Sequence, residues 1–241
     1  MVNWQESGRM PEALLKAVGH GQPYHTDPAA GLEPLPAITV ALSRQVGTHA
    51  TAVAGELGRL MSWPVYDHAL LERMAEAMHV DVDLIESIDE RHVHWLVERM
   101  EAFSAVPYVS ENAYVRRLIE TLLSLGAKGR CIIVGRGSAH VLPPTTTLRV
   151  RLVADFEDRV RTIMTEMGLT STEATRRAKA LDRERTSFLK DHFHIDPNNP
   201  ENYDLLVNTS LLPAAGCAEI IRAALRVREQ ERAKLLHDLQ G

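Results

Sequence analysis

The residues in this chain best suited to chemistry are arginines and glycines placed where an apolar run ends. Ser43-Arg44-Gln45-Val46-Gly47-Thr48-His49-Ala50-Thr51 follows the run Ile38 to Leu42 and precedes a helical pattern. A turn between a strand and a helix gathers unpaired backbone N–H groups at the positive end of the helix dipole, and so suits an anion. The phosphate-loop pattern G-x-x-x-x-G-K-[ST] puts its outer glycines on Arg44 and His49, its lysine on Ala50 and its hydroxyl on Thr51. Only Thr51 matches, with Gly47 as an internal glycine, so the bare motif fails and an ordinary strand-to-helix turn explains the segment equally well. Gly135-Arg136-Gly137 ends the run Cys131 to Val134. Glycines on both sides let a ligand approach the backbone, and a guanidinium forks onto a phosphate; the alternative is a turn with a surface arginine. Asp67, after Trp63 to Tyr66, either touches a ligand or caps the next helix, the commoner role. Arg176, Arg177, Lys179, Arg183, Arg185 and Lys190 share one helical segment with Glu173, Asp182, Glu184 and Asp191, a mixture that by itself describes a solvated face. The pairs His92/His94 and His192/His194 lack a third ligand at metal spacing, which argues against zinc.

These residues need a scaffold, and the hydrophobic pattern supplies one. Strands are expected at Ile38–Leu42, Trp63–Asp67, Cys131–Val134, Leu148–Ala154 and Asp204–Asn208. Between them lie helical patterns at Ala50–Met61, His68–Met78, Ser110–Leu125, Asp155–Met167, Thr170–Phe193 and Ala214–Leu239, with Gly126 and Gly168 as stop signals. Capping-box spacings open helices at Asp83–Glu86 and Thr170–Glu173. Strands alternating with helices predict an α/β fold: a five-stranded parallel sheet with helices on both faces. Ligands bind such sheets outside the carboxyl ends of the strands, where the arginines and glycines stand.

The whole chain sets bounds. Its 241 residues suffice for one domain plus an appendage, and its net charge of −5 argues against a general nucleic-acid binder. Any anionic ligand must be held by a local basic cluster. Cys131 and Cys217 have no CxxC spacing. No signal-peptide pattern and no apolar run of membrane-spanning length occurs, so the expected location is cytoplasmic and no membrane partner is expected. Residues 1–36, rich in Gly, Pro and His, read as a flexible N-terminal extension, and 37–241 as the folded domain.

Taken in order, Leu42-Ser43-Arg44-Gln45 with Gly47, Tyr66 to Leu71, Ile132 to Gly137, Leu148-Arg149-Val150, Asp182 to Arg185 and Asn202 to Ser210 resemble the cytidylate-kinase-like family of P-loop nucleoside monophosphate kinases. The resemblance spans about Ile38 to Ile221. It implies a P-loop kinase-like sheet, a mobile helical lid over approximately 170–195, and phosphoryl transfer from ATP to CMP or a similar nucleotide with Mg²⁺. It implies that Ser43, Arg44, Gly47, Thr48, His49, Ala50 and Thr51 hold donor phosphate, with Thr51 toward the metal. Asp67, Gly135, Arg136 and Gly137 would face the acceptor, and Asp182, Arg183 and Arg185 would act from the lid. Arg136 and Arg185 are expected to protrude. The family's G-S-G-G stretch is here Gly47-Thr48-His49-Ala50, so the phosphate loop is degenerate. That departure keeps open a non-catalytic nucleotide-binding or regulatory module of the same fold, and an interaction protein working through its termini. Acceptor base and oligomeric state are not readable from the sequence.

A chain starting at Glu33 is expected to unfold in denaturant with the stability of the full chain, because residues 1–36 carry little apolar surface to bury. A loss of several kcal/mol would make the extension part of the core.

Overall fold

Five apolar runs pair into one parallel sheet in a computed structural model that describes residues 35–76, 88, 92, 96, 99–101, 103 and 113–238. The strands are β1 (Thr39–Arg44), β2 (Val65–Tyr66), β3 (Ile132–Val134), β4 (Thr147–Val153) and β5 (Leu205–Asn208), in the order β2-β3-β1-β4-β5. The helices are α1 (Ala50–Met61), α2 (His68–Glu76), α3 (Ala113–Lys128), α4 (Ser138–Val141), α5 (Phe156–Met167), α6 (Ser171–Phe193) and α7 (Ala214–Asp238). β1 lies in the middle, paired to β3 through Leu42↔Val134 and to β4 through Leu42↔Val150. After β1 the chain passes to β2 on one side of it, and after β3 it crosses to β4 on the other side, which opens a crevice at the carboxyl ends of β1, β3 and β4.

Period-two alternation divides the core. Val40, Leu42, Ile132, Val134, Val150 and Leu152 pack with Val53, Leu57, Ile221 and Leu225 of α1 and α7. Cys131 and Ile133 face the other way, toward Leu118, Leu122, Val141 and Phe193 of α3, α4 and α6. Arg149 and Arg151 occupy the second face of β4, and both are buried. Arg149 pairs with Asp204 at 2.7 Å, while Arg151 donates to Ser43 Oγ at 2.7 Å.

Several boundaries differ from those the sequence suggests. β2 keeps two residues of Trp63–Asp67, because Asp67 turns away to accept the Leu70 amide at 2.8 Å as the cap of α2. α3 runs through Gly126 to Lys128; the left-handed stop is Gly129 (φ 67°), whose absent Cβ would stand 2.5 Å from Ala37 O. Asp155 sits at the N-cap of α5 without a side-chain capping bond. At the head of α6 the capping box forms in full: Glu173 N donates to Thr170 Oγ1, and Thr170 N donates to Glu173. The Asp83–Glu86 box, His94, and all but the last two residues of the 1–36 extension lie outside the described residues. Pro36 and Leu35 accept from Arg232 of α7 at 2.7 and 2.8 Å, so the domain's contacts reach back to residue 35.

Thr170→Ala is expected to cost about 1 kcal/mol in chemical denaturation, the usual worth of a side-chain cap. The loss should appear as faster amide exchange in the first turn of α6.

Candidate functional site

A cavity of about 810 Å³ opens at the carboxyl ends of β1, β3 and β4, with α6 as its outer wall. Arg44 enters it from the end of β1, Arg136 from the turn after β3, Arg151 from β4, and Arg177, Arg183, Arg185 and Lys190 from α6. Asp182 and Glu184 are the carboxylates on its wall. This excess of cations marks a site for a ligand with several negative charges.

The local backbone explains how the cations are held. Gly135, Arg136 and Gly137 all take left-handed conformations, with φ of 83°, 51° and 76°. Glycine accepts this without cost, while Arg136 is strained between them. A Cβ on Gly135 would fall 2.1 Å from Arg44 Nη1, so the bare backbone makes the space in which the Arg44 guanidinium lies. A Cβ on Gly137 would meet the Phe193 ring at 2.7 Å, so that glycine lets α6 close on the turn. Arg136 does not protrude. It pairs with Glu72 of α2, and its guanidinium lies 5.3 Å from the centre of the Phe188 ring. His68 shares Glu72, at 2.8 Å, yet burial and then the Arg136 charge hold its imidazole below the usual range.

Arg44 is the least compensated of these groups. No carboxylate pairs with it among the described residues, and burial first, then Arg185 and Arg136, push it down to about 9. It is therefore still a cation at neutral pH, held against desolvation and like charge. Arg185 is half-buried and shifted in the same direction, by burial first and by Arg151 and Arg136 besides, against the pull of Asp182 and Glu184. Its buried Nη1 has no hydrogen-bond partner. Arg151 lies over the Tyr203 ring at 5.7 Å and bonds to Ser43, whose hydroxyl also meets Tyr203 Oη at 3.3 Å.

The phosphate-loop segment divides between two places. Ser43 and Arg44 line the large cavity. Gly47 and His49 line a second one of about 340 Å³ beside Asp158, Thr162, Thr209 and Ser210. His49 is the N-cap of α1 and adopts φ 51°, a conformation suited to glycine, with its Nε2 3.1 Å from Thr162 Oγ1. Thr48 is buried and donates to Gln45 O at 2.9 Å. Ala50 packs into the apolar cluster with Val53 and Leu57, and Thr51 is exposed and lines none of these cavities. Asp67 caps α2 and bears on the site through its charge toward Arg44. On α6, Arg183 is exposed at the cavity wall, while Asp182 accepts the Val46 amide at 2.9 Å and pairs with Arg159 of α5. Arg151 and Arg159 are the residues that sequence reasoning missed. Their signal was a basic residue inside a core strand and another in the first turn of a helix beside the loop, and both look like surface charge until neighbouring elements cover them.

The residues fit magnesium poorly as a protein-built site. Among the described residues no three His, Cys, Asp or Glu side chains gather to hold an ion, and Thr51 lines none of the cavities described. A magnesium ion here would be carried chiefly by the phosphates of a bound nucleotide.

Arg44→Met is expected to raise the melting temperature of the ligand-free chain, since it removes an uncompensated buried cation. Added inorganic phosphate should then raise the melting temperature of the parent more than that of the variant. A variant less stable than the parent would show that Arg44 serves the fold.

The family description "cytidylate kinase-like family" matches residues 39–211. A cytidylate kinase from Pyrobaculum calidifontis is 24% identical over 176 residues, 73% of this chain and 85% of that protein. A uronate isomerase from Corynebacterium glutamicum is 33% identical over 79 residues, but this covers 32% of the chain and only 15% of the isomerase. A crystal structure of an uncharacterized protein from Eubacterium ventriosum superimposes with a TM-score of 0.61 at 17% identity, over 79% of this chain and 98% of that one. The match across the whole sheet, from β1 through β5, is the one that agrees with the strand-end site: the chain belongs to the cytidylate kinase-like family.

Proposed function

We propose that this protein is a nucleoside monophosphate kinase-like phosphotransferase that moves a phosphoryl group from ATP to CMP or a similar nucleotide. The observation that carries the reading is the convergence of Arg44, Arg136, Arg151 and Arg185 on one cavity at the strand ends. Phosphoryl transfer asks a protein for positioning and charge neutralisation more than for covalent chemistry. A cluster of guanidinium groups that repel one another until an anion arrives answers that demand. In this reading Arg136, steadied by Glu72 and Phe188, orients the acceptor phosphate. Arg44 and Arg151 neutralise charge at the strand ends. Arg183 and Arg185 on the lid close over the transferring group, and Asp182 positions the lid. Magnesium, carried by the donor phosphates rather than by a protein-built site, would add charge neutralisation there. The working location is cytoplasmic, and no helix among the described residues is long and apolar enough to cross a membrane.

A second reading, a nucleotide-binding module without turnover, is favoured by the loop itself. His49 and Ala50 stand at glycine positions of the family pattern, and the Val46 amide is already occupied by Asp182.

A coupled assay with ATP, Mg²⁺ and each nucleoside monophosphate separates the two. The parent is expected to be slower than an ordinary kinase rate of roughly 1–100 s⁻¹. His49→Gly should be faster than the parent. Arg185→Gln and Arg136→Gln should each lower kcat/KM at least tenfold, or about 1.4 kcal/mol. Nucleotide binding with no turnover in any variant would establish the module, and no binding at all would exclude both readings.

A further inference from the structure

An ion pair ties the wall of the large cavity to the loop that lines the smaller one. Asp182 lines the large arginine cavity, and Gly47 lines the smaller one beside His49. Between them lies Arg159, whose side chain is 8% exposed. Its backbone is pressed on the loop: a Cβ on Gly47 would stand 2.6 Å from Arg159 O and 2.9 Å from its Cα. Its Nη1 donates to Val46 O at 3.4 Å and to the Asp182 carboxylate. The other oxygen of Asp182 accepts the Val46 amide at 2.9 Å.

A loop N–H and a buried guanidinium converging on one oxyanion are the donors that recognise phosphate. Here the oxyanion is a side chain of α6. Arg159 has capacity left over, because its buried Nε meets no acceptor. The loop also needs a cation: the lysine position is Ala50, which packs into the core.

We propose that Arg159 is the cation of this phosphate loop and that Asp182 is its resting counter-ion, displaced by the phosphates of the donor. The inference rests on the phosphotransferase reading above. Displacement exchanges one anion for another, so Arg159 is never left unpaired in the interior. It also releases the contact that ties the wall of the arginine cavity, in which transfer would occur, to the loop lining the smaller one. Asp182 belongs to α6, so its release couples donor arrival to movement of the lid. A purely structural pair would lack this exchange and would respond to its own loss only through stability.

The test titrates inorganic tripolyphosphate, and CMP separately, into the full chain and into Asp182→Ala, Arg159→Gln and the double variant, by calorimetry. Asp182→Ala is expected to bind tripolyphosphate at least about tenfold more tightly than the parent, because the competing carboxylate is gone. Arg159→Gln should bind at least about tenfold more weakly. In the Arg159→Gln background Asp182→Ala should give no gain. Equal or weaker binding by Asp182→Ala overturns the proposal. If that variant fails to fold, the Val46 amide resonance of the unmodified chain decides. It should shift in step with tripolyphosphate saturation, and a resonance that stays fixed at saturation overturns the proposal. CMP bound normally beside a failed tripolyphosphate result sinks the exchange alone. The expected tripolyphosphate pattern without CMP binding supports the exchange and sinks the acceptor assignment. Neither ligand bound by any chain sinks both.

Discussion

Four guanidinium groups held at the carboxyl edge of one sheet repel one another, and the surrounding fold offers them few carboxylates. Glu72 neutralises Arg136, while Arg44 has no carboxylate partner among the described residues and Arg185 keeps a buried donor without an acceptor. Holding like charges together in a partly desolvated place is unfavourable, and it persists only where rigid elements determine the positions. The rest of the architecture provides that rigidity. β1 is clamped between β3 and β4. The left-handed turn at Gly135–Gly137 lets the Arg44 guanidinium lie close against bare backbone. Phe188 and Tyr203 each supply a ring face to one of the arginines. The electrostatic strain is thereby placed at the one edge of the sheet where a bound anion would relieve it.

Much of this was legible in the sequence because it rests on local rules. Strand and helix periods, the Thr170 capping box and the position of the strand ends each depend on residues close together in the chain. The Gly-Arg-Gly turn was visible for the same reason. What was not legible depends on contacts between distant segments. Arg151 reads as the polar side of an alternating strand, but Tyr203 and Ser43 cover that side and turn it into part of the cavity. Arg136 was expected to protrude, and Glu72, 64 residues earlier, holds it instead. Gly126 carries the composition of a helix stop, yet it is buried inside α3 and the chain turns at Gly129, where the Ala37 carbonyl leaves no room for a side chain. Asp182 looked like one acid on a solvated helix until α5 brought Arg159 beside it.

The loop shows how a backbone shape can outlast its usual residues. Gly47 keeps φ 78° because the Arg159 carbonyl lies against it, and any side chain there would clash. His49 keeps φ 51°, at a strain of order 1 kcal/mol for a residue with a Cβ. The bond from its imidazole to Thr162 holds it there, and Thr162 in turn donates to Asp158 O within α5. The same helix that supplies Arg159 therefore also restrains the strained residue. This makes the loop and α5 one mechanical unit, joined at Gly47, His49 and Val46. A ligand that moves any of these must shift α5 or break its contacts, and one of them, the ion pair to Asp182, is partly open to solvent on the carboxylate side. The loop is thus open to an incoming anion where α6, rather than the sheet, contributes the partner.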